Sequence, residues 1–216
     1  MEDLIDQRDL VLQAFWLTIQ LAVLSGLFSL VFGTLLAAMR VGPISVLRGA
    51  ATTYVTLVRN TPLLLIFVFV FVAAPNIGWF VGTPFLIKGV IAVSVYTSAF
   101  VCEAVRSGIN AVPVGQAEAA RAVGMTFSQS MQQVILPQAF RAVVPPLASV
   151  LIALAKNTSV GAAFGLMEAT GRMRFFTNNS ADDVPIFLVF AIGYIIIVEV
   201  MSAGAITLER RWRTAR

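Results

Sequence analysis

The chain has 216 residues, of which 58% are hydrophobic and 12% are charged, and its formal net charge is +4. Soluble domains carry about twice that fraction of charged residues, so the composition argues against a soluble domain and predicts an integral membrane protein. The absence of histidine excludes a histidine-based catalytic triad or metal site, and the single cysteine, Cys102, excludes an intrachain disulfide.

The first two membrane helices are predicted over residues 11–39 and 55–74. No charged residue occurs between Asp9 and Arg40, and this run is longer than the about 7–15 apolar residues of a signal-peptide core. Pro62 falls near the start of the second helix, where a residue without a backbone N–H is tolerated. A second helix that begins farther upstream would instead be bent at Pro62.

Three more membrane helices are predicted over residues 85–105, 143–164 and 184–208. Pro145 and Pro146 are expected in the first turns of the fourth helix, and residues 168–183 are expected to form a polar, turn-rich loop. The predicted fold is therefore an all-α integral membrane protein with five transmembrane helices, in a single domain over residues 1–216.

The distribution of lysine and arginine predicts the orientation of these helices. With the N-terminus outside, ten basic residues fall in cytoplasmic segments and four in outer segments, and cytoplasmic segments are normally the more basic. The ten are Arg40, Arg48, Arg59, Arg106, Arg121, Arg141, Arg210, Arg211, Arg213 and Arg216, and the four are Arg8, Lys88, Arg172 and Arg174. The C-terminus and the segment between the third and fourth helices are thus predicted to be cytoplasmic.

That cytoplasmic segment, residues 113–138, is predicted to be a helix–turn–helix. Residues 116–123 are rich in helix formers, and Gly124 follows where a helix C-terminal glycine belongs. Thr126 and Gln129 have the spacing of a capping box that starts a second helix. Pro137 is expected to end that helix or to lead into the fourth membrane helix.

Two interpretations of the segment are open. Its alanine-rich first helix is slim enough to enter a groove of a partner protein, with Val123, Met125 and Phe127 as apolar anchors. Alternatively it is an amphipathic connector lying on the membrane surface, but such a helix normally carries several basic residues and this one carries only Arg121.

Two charged residues stand out deep inside predicted membrane helices, Lys156 and Glu199. Lys156 and Glu199 are each about nine or ten residues from the cytoplasmic side, which corresponds to a depth of about 13–16 Å. They are expected to occupy one layer, either as a buried salt bridge or with Lys156 facing a substrate carboxylate. Glu103 is either a solvated helix-end carboxylate near Arg106 or part of a solute path.

Several motifs resemble those of one transporter family. The pattern Glu118-Ala119-Ala120, three residues, Gly124, nine residues, then VILP at 134–137 resembles the EAA loop of ABC importer permeases, with Val134 where the family has isoleucine. RNTPL at 59–63, YTSAF at 96–100, RSG at 106–108 and KNTS at 156–159 resemble the polar amino-acid uptake subfamily. The overall likeness is nearest to glutamate permease subunits.

This resemblance implies a permease subunit that imports a polar amino acid by alternating access. It implies a dimer of separate ATPase subunits that bind ATP and Mg, a second permease subunit, an extracytoplasmic amino-acid-binding protein, and a location in the bacterial cytoplasmic membrane. The chain contains no G-x-x-x-x-G-K-S/T phosphate-binding loop, so we expect no cofactor, catalytic residue or metal on it, and no nucleic-acid partner. The expected ATPase contacts are Glu118, Ala119, Ala120, Gly124, Met125, Phe127, Leu136 and Pro137.

The substrate path implied by the same motifs has members on three helices. They are Tyr96, Ser98, Glu103, Lys156, Asn157, Thr158, Ser159 and Glu199. Ser25, Ser29 and Gly33 share one face of the first helix and are a candidate surface for packing against the second permease. Glutamate, aspartate, glutamine, arginine and histidine all remain open as substrates.

A different function, an ATPase-independent channel or small secondary transporter, is the alternative. Such transporters usually contain two matched halves with interrupted helices, and no matched halves are visible in five predicted spans.

Overall fold

The computed structural model describes residues 6–179 and 183–213, and these stretches consist of helices joined by turns and short loops. The first elements are α1 (Arg8–Val41), α2 (Ser45–Asn60) and α3 (Leu63–Val68), which continues through a π-helical turn, Phe69–Ala73, to a last turn, Ala74–Asn76. They are followed by α4 (Phe85–Asn110) and α5 (Val114–Ala122).

The second half of the chain contains α6 (Phe127–Ser130), which passes through a π-helical turn, Met131–Ile135, into α7 (Leu136–Asn157). A 3-10 helix, Thr158–Phe164, then leads to α8 (Ala169–Asn179) and α9 (Asp183–Arg213). Four helical stretches are long and apolar enough to cross a bilayer: Arg8–Val41, Phe85–Asn110, Phe127–Phe164 and Asp183–Thr207. A fifth crossing results if the bent pair Ser45–Asn60 and Leu63–Asn76 counts as one span. The predicted all-α membrane architecture is confirmed.

The second span differs from a single helix over residues 55–74. It is a pair of helices bent by 104° between Asn60 and Leu63. Thr61 is extended, with φ −95° and ψ 128°, because a residue before proline is forced out of the helical conformation. The helix begins upstream at Ser45, so the expectation that such a helix would be bent at Pro62 is confirmed.

The prediction that Pro145 and Pro146 lie in the first turns of the fourth span is wrong. Both prolines lie inside α7, which begins at Leu136 and is joined to α6 without a break. The π-helical turn before it lets the Leu136 N–H bond the Met131 carbonyl, so the helix continues past Pro137 instead of ending there.

The predicted loop over residues 168–183 is also wrong, because most of it is the helix α8. The carboxylate of Glu168 accepts hydrogen bonds from the backbone N–H groups of Thr170 and Gly171, both at 3.0 Å. These are first-turn donors that have no partner inside the helix, so Glu168 stabilises the start of α8.

The core lies around α4, which packs on α1, α3 and α7. Leu21, Phe67, Val93 and Leu154, one from each of these helices, are all buried in one cluster. Small residues make this packing close: a methyl group added at Gly33 would meet Val101 and the Ser98 carbonyl oxygen.

The small-residue face of α1 therefore packs on α4 of the same chain. Ser25 and Ser29 are fully buried there, and the Ser94 hydroxyl lies 3.4 Å from the Ser25 carbonyl oxygen. The expectation that this face meets a second permease is wrong, because its surface is already used within the chain.

Candidate functional site

The turn inside segment 113–138 is a complete helix-ending motif. Gly124 has φ +82°, a left-handed conformation that glycine adopts without steric cost. The Met125 N–H bonds the Ala120 carbonyl at 3.1 Å and the Gly124 N–H bonds the Arg121 carbonyl at 3.0 Å. These two bonds define a Schellman motif, so the glycine predicted to end the first helix does end it.

The second helix of the segment begins with the predicted capping box. The Thr126 hydroxyl accepts the Gln129 N–H at 3.3 Å, and the Gln129 side-chain oxygen accepts the Thr126 N–H at 2.9 Å. Two backbone donors that would otherwise lack partners are thereby satisfied, which fixes where α6 starts. The turn between α5 and α6 is held by local hydrogen bonds from both sides.

The segment presents apolar side chains to its surroundings. Val123 and Phe127 are 77% and 79% exposed, and Met125 is half-buried. Ala120 is buried against the rest of the chain, whereas Glu118, Ala119, Gly124, Leu136 and Pro137 are exposed. Exposed apolar side chains on a rigid helix pair form a surface that suits a protein partner. Arg121 donates to the Ala117 carbonyl at 3.3 Å, and no ion pair joins it to Glu118 among the described residues.

Glu103 is surrounded by three arginines. Its Oε1 lies 2.6 Å from Arg40 Nη1 and 3.2 Å from Arg59 Nη1, and its Oε2 lies 2.9 Å from Arg106 Nη2. These arginines come from α1, α2 and α4, so one carboxylate joins the ends of three helices. The nearness to Arg106 was predicted, but Arg40 and Arg59 were not, because they are distant in sequence.

A small cavity lies between α4 and α7. It has a volume of about 240 Å³ and is lined by Tyr96, Thr97, Phe100, Ser149, Val150, Ala153 and Asn157. The Tyr96 and Phe100 rings form one wall, with centroids 4.9 Å apart. The Thr97 hydroxyl is buried and has no hydrogen-bond partner, which is unusual for a buried polar group.

The structure places two predicted path residues, Tyr96 and Asn157, in this cavity and the others elsewhere. The Ser98 hydroxyl lies on another side of α4, 3.0 Å from the Tyr54 hydroxyl. The Thr158 and Ser159 hydroxyls donate to the carbonyls of Ala155 and Lys156, each at 2.7 Å.

The two membrane charges are not joined. Lys156 and Glu199 are both exposed within the single chain, and no ion pair links them among the described residues. Lys156 precedes Asn157 at the end of α7, so it lies beside the cavity in sequence without lining it.

Thr97, Phe100 and Ser149 were not predicted as site residues. Ser149, Ala153 and Asn157 are four residues apart and therefore share one face of α7. This small and polar stripe is the signal that would have identified the α7 wall of the cavity from the sequence.

A second unpredicted feature is the buried carboxylate of Glu168, which is 0% exposed. The Tyr194 hydroxyl of α9 donates to it at 2.6 Å, and the neighbouring Ala169 N–H donates to the Thr18 hydroxyl of α1 at 3.0 Å. Burial raises the pKa of Glu168, although hydrogen bonds from Tyr194, Thr170 and Gly171 act in the opposite direction. The start of α8 is thereby tied to α1 and α9.

The chain is similar to known proteins over most of its length. The family described as "binding-protein-dependent transport system inner membrane component" matches residues 29–214. The glutamate transport system permease proteins GluC of Corynebacterium efficiens and Corynebacterium glutamicum are 43% and 40% identical, over 90% and 93% of both chains. The probable glutamine ABC transporter permease GlnM of Bacillus subtilis is 35% identical over 96% of this chain and 95% of its own.

A solved structure, described as "Crystal structure of an amino acid ABC transporter with histidines", superposes with a TM-score of 0.89. It is 27% identical and covers 97% of both chains. The fold is also that of an inward-facing MetNI methionine ABC transporter chain, with a TM-score of 0.79 over 98% of this chain and 99% of that one, at 23% identity.

Proposed function

The chain belongs to the binding-protein-dependent transport system inner membrane components and is an ABC importer permease for polar amino acids; on this premise we propose that its substrate is glutamate. Such permeases are multi-pass proteins of the bacterial cell membrane that work with ATPase subunits and a substrate-binding protein. Glutamate is favoured because two relatives, 43% and 40% identical over almost the whole chain, are named as glutamate permeases.

The observation that carries the coupling proposal is the exposed helix pair of segment 113–138. Its turn is fixed by the Schellman motif at Gly124 and the capping box at Thr126, while Val123 and Phe127 remain exposed. A rigid element with unburied apolar side chains suits insertion into a groove of a separate protein. We assign that groove to an ATPase subunit on the cytoplasmic side, with the N-terminus of the permease outside.

The continuous helix from Phe127 to Phe164 supports a mechanism for transmitting motion. It joins α6 directly to α7, so a force on the coupling segment acts on the helix that carries Asn157. In the proposed cycle, ATP binding closes a dimer of ATPases, and two permease subunits reorient so that their path opens alternately to each side. The single domain of residues 1–216 supplies half of that path, and the second permease, identical or paralogous, supplies the rest.

We propose the cavity between α4 and α7 as one wall of the path. Its volume of about 240 Å³ is below the 300–1,000 Å³ typical of complete pockets, as expected for half of a site. The unpartnered Thr97 hydroxyl and the Asn157 amide supply hydrogen bonds for a polar solute. Lys156, exposed next to Asn157, supplies a positive charge for a carboxylate.

Transport through the reconstituted complex tests the substrate. We expect Lys156→Met to reduce uptake of radiolabelled glutamate at least tenfold and uptake of glutamine much less, because only glutamate carries a side-chain carboxylate for the ammonium. Arg174→Met is the matched control, since it removes an exposed positive charge that does not line the cavity. Equal loss of uptake for both amino acids would contradict the charge role of Lys156. If unlabelled glutamate fails to compete for uptake while other amino acids of a panel do, glutamate is not the substrate.

Copurification tests the coupling element. We expect Glu118→Lys to reduce recovery of the ATPase subunits and to abolish stimulated uptake, because it reverses an exposed charge on the helix that docks. Asp9→Lys makes the same charge reversal near the start of α1 and should leave recovery unchanged. Full recovery of the ATPases with normal uptake in Glu118→Lys would remove segment 113–138 from the docking surface.

A further inference from the structure

In the cluster of Arg40, Arg59 and Arg106 around Glu103, three positive charges surround a single negative charge. Three guanidinium groups face one carboxylate, and among the described residues no other carboxylate lies within 4.0 Å of them, so two positive charges are left over. The side chains of Arg59 and Arg106 are about 45% and 37% exposed, and the Arg59 guanidinium also lies 5.7 Å from the centre of the Phe100 ring, so both arginines are partly open to the surroundings. Charge complementarity therefore calls for an anion at this place.

The position of the cluster favours a membrane anion. Arg40 is the penultimate residue of α1, Arg59 is the penultimate residue of α2, and Arg106 lies four residues before the end of α4. The ends of spanning helices lie at the level of the lipid headgroups, where arginines meet phosphates.

An apolar groove lies along the same helices that carry this cluster. It lies between α1 and α4, has a volume of about 510 Å³, and is lined mainly by apolar side chains such as Phe28, Phe32, Ile87 and Ile91. Tyr54, Ser94 and Ser98 carry the hydroxyl groups of the lining, but almost all of the lining surface is apolar, so the groove suits a hydrocarbon chain and not a soluble solute.

The groove and the cluster are aligned along the helices. The groove ends at Leu36 and Ser98, and Arg40 and Glu103 follow these residues by four and five positions on the same two helices. At 1.5 Å per residue, the cluster is about 6–8 Å beyond the end of the groove. A phosphate and the first carbons of an acyl chain are separated by a distance of this order.

The groove also faces away from the proposed path. Tyr96, Thr97 and Phe100 line the cavity toward α7, whereas Ser94, Val95 and Ser98 of the same helix line the groove toward α1. We propose that the chain binds one anionic phospholipid, with its phosphate on Arg59 and Arg106 and an acyl chain in the groove between α1 and α4. This site is additional to the transport function and does not depend on the identity of the amino acid.

Native mass spectrometry of the delipidated importer complex, titrated with phosphatidylglycerol or phosphatidylcholine, tests the proposal. We expect one tightly retained phosphatidylglycerol in the wild type and weaker retention of phosphatidylcholine. Arg59→Gln and Arg106→Gln should each weaken phosphatidylglycerol binding about fivefold, the effect of one arginine at a membrane surface. Arg48→Gln, which removes an exposed arginine of α2 outside the cluster, should leave it unchanged.

Two further arms separate the lipid from other occupants. Ile87→Trp, a half-exposed position in the groove, should weaken phosphatidylglycerol binding without removing an arginine. Inorganic phosphate at millimolar concentration should not displace the lipid. Displacement by phosphate would assign the cluster to a free anion and overturn the lipid site.

Equal retention of both lipids, or an equal effect of Arg48→Gln and Arg59→Gln, would also overturn the proposal. Arg59→Gln is the decisive variant because its contact with Glu103, at 3.2 Å, is the longest of the three ion pairs, so loss of folding is least expected. Retention of the ATPase subunits by each variant checks that the complex is intact.

Discussion

At the scale of single residues, Glu168 is a carboxylate that is fully buried without a cation beside it. Its carboxylate accepts hydrogen bonds from Tyr194, Thr170 and Gly171, and no ion pair reaches it among the described residues. Hydrogen bonds stabilise the charged form, but desolvation has the larger effect and raises its pKa above the ordinary 4.5. The residue therefore makes stability depend on pH.

The sign of that dependence follows from proton binding. Between 4.5 and the raised pKa, folded Glu168 holds a proton that the unfolded chain has released, so the free energy of unfolding falls as the pH rises through this window. We expect Glu168→Gln, which cannot titrate, to lack this fall in thermal melts of the detergent-purified protein. Glu118→Gln, which alters an exposed glutamate, is the control. Identical slopes for wild type and Glu168→Gln would contradict the prediction.

At the scale of helices, a close contact between α4 and α7 depends on Gly108. A methyl group at this position would overlap the Val143 side chain and lie 2.9 Å from the Val143 backbone nitrogen. The contact lies near the end of α4, and Val143 follows segment 113–138 by five positions in the sequence. It therefore fixes the spacing between two of the helices that move in the proposed cycle.

We expect Gly108→Ala to destabilise the protein by about 1–3 kcal/mol, the usual cost of overpacking a filled interface. The matched control is Gly115→Ala in α5, where nothing lies within 4 Å of the added methyl group. That change should be neutral or stabilise the protein by about 0.5–1 kcal/mol, because alanine favours a helix. Thermal unfolding measures both, and equal melting temperatures would show that α4 and α7 shift apart without cost.

The helices could be predicted from sequence where the signal is local. The apolar run of α1 is bounded by Asp9 and Arg40 in the sequence. The capping box joins Thr126 and Gln129, which are only three positions apart, so it could be read from the sequence. The start of α7 was missed because a π-helical turn lets it pass Pro137. Helix α8 was missed because its start is stabilised by Glu168, whose burial depends on α1 and α9.

The candidate sites also differ in whether they depend on local contacts or on contacts between residues distant in the sequence. The helix–turn–helix of segment 113–138 was predictable because its turn and caps involve contacts of a few residues. The cluster around Glu103 was not, because Arg40 lies 63 positions away and only the packing of α1 on α4 brings them together. The path residues were predicted from motif positions, and membership of a motif does not show which side of a helix a residue occupies. Tyr96 and Ser98, from one motif, therefore line different cavities on two sides of α4.

At the scale of the whole molecule, the distribution of arginine predicts that segment 113–138 is cytoplasmic and that the turn after α3 is outside. The chain is convenient for testing this, because Cys102 is its only cysteine and is buried. Substitution of Cys102 by serine leaves a background in which new cysteines report their own side of the membrane.

On this background, Ser128→Cys in α6 and Val81→Cys after α3 both place a thiol at an exposed position. We expect a membrane-impermeant maleimide to label Val81→Cys in intact cells and Ser128→Cys only after the membrane is opened. The basis is the excess of basic residues on the cytoplasmic side. Labelling of Ser128→Cys in intact cells would reverse the orientation and remove the ATPase from its proposed place.

The 104° break between α2 and α3 has a consequence for ion leakage. Pro62 cannot donate to Val58, whose carbonyl accepts the Thr61 N–H instead, so the backbone here lacks regular helical bonding. The break lies directly after Arg59, at the level of the lipid headgroups, where water or protein satisfies irregular backbone that hydrocarbon does not. If water reaches this point, the dry thickness of the span is the length of Leu63–Asn76, about 21 Å against the about 30 Å of a bilayer core. Resistance to leak between transport cycles then rests on that shorter apolar stretch.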